Sequence, residues 1–281
     1  MSNGENNPYA PPPGGGTAAN PYAAPRANVA VEADAVFGGL IENGRRVETG
    51  RGMAWISEGF AVFMQSPGMW MLMMVVFFVL ICMILVIPIL GSLGLNVVMP
   101  VFTAGLLLGC RALEEGEPLD ISSLFAGFKQ GAGQLMLVGL LYLLGVVVVS
   151  VIIGVFVAIV AVGLGVAGGM GRGGDMAGLG LLGGALIAIA VLVGMALFLP
   201  LAMAIWYAPA LVVFHEQEPM AAMKQSFYGC LKNWLPFLLY GVVFLVLAIV
   251  ATLPFFLGWL VLWPVMIGGL YKSYQDIFCE P

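Results

Sequence analysis

The sequence predicts an all-α integral membrane protein with about six transmembrane helices, arranged as three helical hairpins. Each hairpin is preceded by a cytoplasmic amphipathic surface helix. Two observations carry this. Of 281 residues, 61% are apolar and only 9% charged, against roughly a quarter charged in a soluble domain, and the mean hydropathy is +1.04. The apolar residues also fall into runs of the length that crosses a bilayer, about 20 residues. A net charge of −5 argues against a basic surface for phosphate backbones, so no nucleic-acid partner is expected.

In chain order, residues 1–36 read as a disordered Pro/Gly-rich cytoplasmic tail. Asn7-Pro8-Tyr9-Ala10-Pro11-Pro12 recurs as Asn20-Pro21-Tyr22-Ala23-Ala24-Pro25, with Gly14-Gly15-Gly16 between. Such composition buries too little surface to offset its ordering entropy. Residues 37–66 read as a cytoplasmic linker and a surface helix. Over 51–66 the helix presents Trp55, Phe60 and Phe63 as an aromatic face, with Arg45, Arg46 and Arg51 ahead of it. These six residues are the expected contacts with an anionic membrane surface, where each cation is worth about 1 kcal/mol.

Residues 67–278 form the membrane domain, with spans expected near 69–89, 93–112, 134–160, 178–212, 235–254 and 257–275. The first apolar run begins near Gly68, too deep for a cleaved signal, so the first span is expected to act as its own insertion signal. Pro200 and Pro209 are expected to kink or shorten the fourth span. The Gly-rich stretch 163–184, carrying Arg172 and Asp175, is expected to be an outer loop. With the N-terminus inside, Arg26, Arg45, Arg46, Arg51, Arg111, Lys129, Lys224, Lys232 and Lys272 are all cytoplasmic, and only Arg172 lies outside. That bias fits the positive-inside rule and places both termini in the cytoplasm of a bacterial inner membrane.

An internal repeat runs through the spans. Val75-Val76-Phe77-Phe78 matches Val242-Val243-Phe244-Leu245, Ile87-Pro88 matches Leu253-Pro254, and Pro100-Val101-Phe102-Thr103-Ala104-Gly105 matches Pro264-Val265-Met266-Ile267-Gly268-Gly269. A third copy is suggested by Phe125-Ala126-Gly127 beside Phe227-Tyr228-Gly229, and by Pro200. The recurring prolines Pro88, Pro100, Pro200, Pro254 and Pro264 are candidate helix breaks, of the kind from which transporters build a midplane site. Their simpler reading is packing within membrane helices.

Other patterns point to structure. Two G-x-G-x-x-G matches (163–168 and 178–183) lie at span ends and lack the strand that a dinucleotide fingerprint needs. Gly105/Gly109, Ser150/Gly154 and Gly180/Gly184 place small residues on one helical face, suited to close helix packing. The acidic cluster Glu114, Glu115, Glu117 and Asp120 reads as a solvated loop, with Asp120-Ile121-Ser122-Ser123 resembling a helix N-cap. His215-Glu216-Gln217-Glu218 lacks the spacing and the second histidine of a metal site. Cys82, Cys110, Cys230 and Cys279 show no C-x-x-C pairing and read as free thiols. No catalytic constellation, cofactor or metal is expected.

Five segments also resemble a known family: 51–60 (RGMAWISEGF), 109–118 (GCRALEEGEP), 124–128 (LFAGF), 206–212 (WYAPALV) and 271–276 (YKSYQD). Together they look like the uncharacterised proteobacterial multi-pass family labelled hypothetical transmembrane protein (the BPSS group), over roughly residues 48–278. The resemblance implies an inner-membrane location and about six helices, and no reaction. A weaker likeness is to the membrane domain that accompanies some glycerophosphodiester phosphodiesterases, which implies lipid proximity without hydrolysis. The expected role is a non-enzymatic scaffold or lipid-associated membrane component. Its partners would be the bilayer, and another membrane protein or a second copy of the chain. The alternative is a small-solute or lipid permease built on the hairpin repeat.

Overall fold

The computed structural model describes residues 39–170 and 176–280, apart from the side chains of 164–170 and 176–182. The Asn-Pro-Tyr repeat, Arg172 and Asp175 lie outside the described residues. Among the described residues the chain is helical, and a single antiparallel bridge joins Leu40 to Cys279.

The helices are α1 (Arg51–Gln65), α2 (Pro67–Leu85), α3 (Leu90–Glu114), a 3-10 turn (Ile121–Phe125), α4 (Ala126–Lys129), α5 (Ala132–Met170), α6 (Met176–Trp206), α7 (Ala208–His215), α8 (Pro219–Lys232), α9 (Trp234–Thr252) and α10 (Trp259–Phe278). Five stretches are long and apolar enough to cross a membrane: Pro67–Leu85, Leu90–Glu114, Ala132–Gly163, Gly183–His215 and Trp234–Thr252. The last expected span, α10, falls outside this set. Its first half is apolar, but its second half carries Lys272, Gln275 and Asp276.

Two expectations are corrected. The Gly-rich stretch is not an extended loop, because α5 runs on to Met170 and α6 resumes at Met176. The glycines there are dispersed among Ala, Leu, Val and Met with no proline. In lipid a helix is the way for one segment to satisfy its own backbone, so it propagates. The prolines also act unequally. Pro88 and Pro254 sit in the turns that follow α2 and α9, whereas α3, α6 and α10 run unbroken through Pro100, Pro200 and Pro264. Within the fourth stretch the helix breaks at Tyr207 between α6 and α7, where Pro209 sits in the first turn of α7 and its missing N–H costs nothing. Pro100 cannot donate to the Asn96 carbonyl. Here α5 packs closely, since a Cβ on Gly139 would lie 2.5 Å from the Val97 carbonyl and 2.7 Å from the Asn96 carbonyl.

Short helices lock onto long ones through glycine. On α1, a Cβ at Gly59 would lie 2.3 Å from the Val265 carbonyl and 2.5 Å from the Gly269 nitrogen of α10. On α4, a Cβ at Gly127 would lie 2.1 Å from the Val101 carbonyl and 3.2 Å from the Gly105 nitrogen of α3. The receiving residues are Val265 and Gly269 in one case and Val101 and Gly105 in the other, each pair four apart and following a proline. The third short helix, α8, meets α6 through Ser226 and Cys230, both of which donate to the Met203 carbonyl, at 2.6 and 3.6 Å.

The core gathers at the end of the molecule where these short helices lie. Trp55, Trp70, Tyr207, Tyr271, Tyr274 and Phe278 are fully buried there. Tyr207 meets Phe278 edge to face at 5.3 Å, and Phe77 meets Phe102 likewise at 5.5 Å. The spans beyond this end keep their apolar side chains outward, and only 6% of the most apolar window of α5 is buried.

Candidate functional site

Most of the polar side chains that hydrogen-bond between elements converge on the same end. Asp276, in the last turn of α10, collects α1: its Oδ2 accepts from Arg51 at 2.6 Å and from Trp55 Nε1 at 2.7 Å. Arg51 also pairs with Glu58 at 2.9 Å. Burial opposes charge on the Arg51 guanidinium, but hydrogen bonds and attraction from Asp276 and Glu58 outweigh it and raise its proton affinity. Arg45 Nε donates to the Asp276 carbonyl. Buried Asn233, between α8 and α9, donates to the carbonyls of Arg45 and Gly229, both at 2.9 Å, and accepts from the Val47 amide at 2.8 Å. Segment 39–47 is thus stitched to the ends of α8 and α10.

A second group lies beside it. Glu114 accepts from Tyr271 Oη at 2.7 Å, from Gln275 at 2.8 Å and from Lys272. Tyr207 Oη donates to Ser273 at 2.8 Å, while its amide donates to Ser226 at 2.9 Å. His215 Nδ1 lies 2.5 Å from Tyr274 Oη. These bonds tie α1, α3, α6, α7, α8 and α10 into one polar plate.

The expected membrane-contact residues separate. Trp55 and Phe63 face inward, and Arg45 and Arg51 are bonded to Asp276. The expected aromatic surface face is therefore corrected, because the stripe Gly52, Trp55, Gly59, Val62 and Phe63 is buried against protein. Phe60 remains exposed. Arg46 also points outward, and its Nε lies 3.4 Å from the Lys232 carbonyl. Of the candidate breaks, Pro100 and Pro264 are buried, while Pro88, Pro200 and Pro254 are exposed. Asp120 caps the 3-10 turn as its sequence suggests, accepting from the Ser122 amide at 3.3 Å. Hydrogen bonds to Ser122 lower its carboxyl proton affinity. Gly105 and Gly109 close against residues 119–124, whereas no atom outside their own helix lies within 4 Å of a Cβ at Gly154 or Gly184. Sequence reasoning missed Asn233, Ser226 and Asp276. Asn233, immediately ahead of an apolar run, carried the only local signal, that of a polar residue at a helix junction.

Beside the plate, a cleft of about 750 Å³ lies between the last turns of α6 and the first half of α9, with Met266 of α10 behind it. Its walls include Leu199, Met203, Trp206, Phe237, Gly241 and Leu245. Several wall residues, Leu199, Leu238, Val242 and Leu245, are also exposed, so the cleft opens sideways onto the apolar belt. Among the described residues, no group of three or more His, Cys, Asp or Glu is placed to hold a metal ion.

No protein-family model, curated protein or solved structure matches the chain.

Proposed function

We propose that the chain is a non-enzymatic, lipid-associated scaffold of the bacterial inner membrane. In this reading α10 is a sixth span and both termini are cytoplasmic. The polar plate lies at the cytoplasmic interface, as the Lys and Arg distribution suggests. The hairpins α2–α3, α5–α6 and α9–α10 are related by an axis along the membrane normal. Each short helix packs on the second helix of the preceding hairpin: α4 on α3, α8 on α6 and α1 on α10, which closes the ring. The family resemblance over residues 48–278 points to the same location.

The observation that carries the reading is how the ionisable groups are used. Arg51, Glu58, Asp276, Glu114 and Lys272 pair with one another in the plate, where they fix helix to helix. In transporters, ionisable residues within spans mark substrate pathways. Here the cleft at span depth has apolar walls, which suit hydrocarbon.

Reconstitution into liposomes tests the proposal. Leakage of neutral and charged solutes should not depend on the amount of protein inserted. A saturable, protein-dependent flux would overturn the scaffold reading in favour of a permease.

A further inference from the structure

We propose that the cleft between α6 and α9 seats one acyl chain of an anionic phospholipid, with the lipid phosphate held by Arg46 and Lys232. This deepens the lipid-associated reading and rests on it. Three observations meet at one place. The first is the cleft itself. Its wall on α9 runs from Trp234 to Leu245, about 16 Å at 1.5 Å per residue. That is about half of a hydrocarbon core roughly 30 Å thick, the depth of one leaflet.

The second is charge at the polar mouth. Cys230 and Trp234 line that end of the cleft, and Lys232 lies between them in the chain. The Arg46 guanidinium reaches the Lys232 carbonyl, and Lys232 Nζ donates to the Gly44 carbonyl at 2.9 Å, so two cations share one neighbourhood. Both are exposed. Among the described residues, neither lies within 4.0 Å of a carboxylate. The other cations nearby are occupied, Arg51 by Asp276 and Glu58 and Arg45 by the Asp276 carbonyl. A phosphodiester with no cation in its headgroup, so that the lipid keeps a net negative charge, fits this pair.

The third is Trp234 itself. It is more than half exposed at the junction of mouth and cleft, the position where tryptophan settles between headgroups and acyl chains.

The test uses the full chain in nanodiscs of equal phosphatidylcholine and phosphatidylglycerol, extracted gently into detergent and weighed by native mass spectrometry. The wild type should retain one lipid, with phosphatidylglycerol preferred by about fivefold for each cation. Arg46→Gln combined with Lys232→Gln should erase the preference and leave a lipid of either kind. Gly241→Leu should reduce retention of both lipids severalfold. A Cβ there meets no atom outside its own helix within 4 Å, so the added side chain starts into open space at the cleft wall. Ala202→Leu, on the opposite wall, should do the same. Retention unchanged in both cleft variants overturns the acyl seat, and equal retention of the two lipids by the wild type overturns the phosphate site. Failure to incorporate into discs at all would instead overturn the membrane reading beneath it.

Discussion

Asp276 is a single carboxylate on which α1 and α10 depend, because Arg51 and Trp55 both donate to its Oδ2. Asp276→Ala leaves the Trp55 indole N–H without its acceptor and Arg51 with Glu58 as its one remaining carboxylate. Hydrogen bonds to charged groups are worth about 1.5–3 kcal/mol. With Asp276 about a quarter exposed and Arg51 about a third, water recovers part of that. A loss of roughly 2 kcal/mol is expected, read as a lowered unfolding midpoint in detergent. Asp276→Asn keeps an acceptor oxygen and should lose about half as much; an equal loss would show that charge alone matters. Cys230 and Cys279 give a second prediction at this scale. Burial pushes both thiols up to about 12, and the thiolate is the reactive form. Both should resist a maleimide at pH 8 in the folded protein and react once it is unfolded. Between the ordinary thiol value near 9.0 and about 12, the unfolded chain gives up protons that the folded chain keeps. Stability therefore falls as pH rises through that window.

Helix pairs are set by where a backbone can approach another. Gly59 and Gly127 each touch a carbonyl oxygen of the helix beneath, and neither oxygen can yield without moving its own helix. Gly59→Ala and Gly127→Ala should each destabilise by about 1–3 kcal/mol. Gly154→Ala, with open space beyond its own helix at the Cβ, should be neutral or stabilising by up to about 1 kcal/mol. Chemical denaturation of the three variants side by side checks the ranking, and a destabilised Gly154→Ala would mean that this face meets a second copy. Much at this scale was legible in the sequence. Run length placed α2, α3 and α9 to within about four residues at each end, while α5 runs past the expected end at 160 to Met170 and α6 stops at Trp206 short of 212; apolar spacing placed α1. What α1 packs against was not legible. Its two faces, Trp55–Gly59–Phe63 and Met53–Phe60–Met64, are both apolar, and lipid and protein interior make the same demand on such a stripe. The choice is made by Val265 and Gly269, some 200 residues away. The polar plate was hidden for the same reason, since Asp276, Asn233 and Ser226 acquire partners only when distant helix ends meet.

For the whole molecule, the number of crossings turns on α10. Lys272 and Asp276 keep it out of the set of long apolar helices, yet both are paired in the polar plate, Lys272 with Glu114 and Asp276 with Arg51. Pairing lowers the cost of carrying those charges at the membrane boundary, and the apolar half from Trp259 to Gly268 remains for the hydrocarbon. At about 1.5 Å per residue, the 20 residues of α10 measure about 30 Å, close to the thickness of the hydrocarbon core. The polar plate also joins segment 39–47 directly to Ile277 and Phe278 through backbone hydrogen bonds at 2.8 Å, so the start of the described chain and its end share one side. With α10 as a sixth span, as proposed, the number of crossings is even. A fluorescent protein that matures only in the cytoplasm should therefore be bright when fused after Pro281 and equally bright when fused before Met1. An alkaline phosphatase, active only outside, should work when inserted within residues 171–175. A dark C-terminal fusion beside a bright N-terminal one would give an odd count, removing α10 as a span and with it the closed ring of three hairpins.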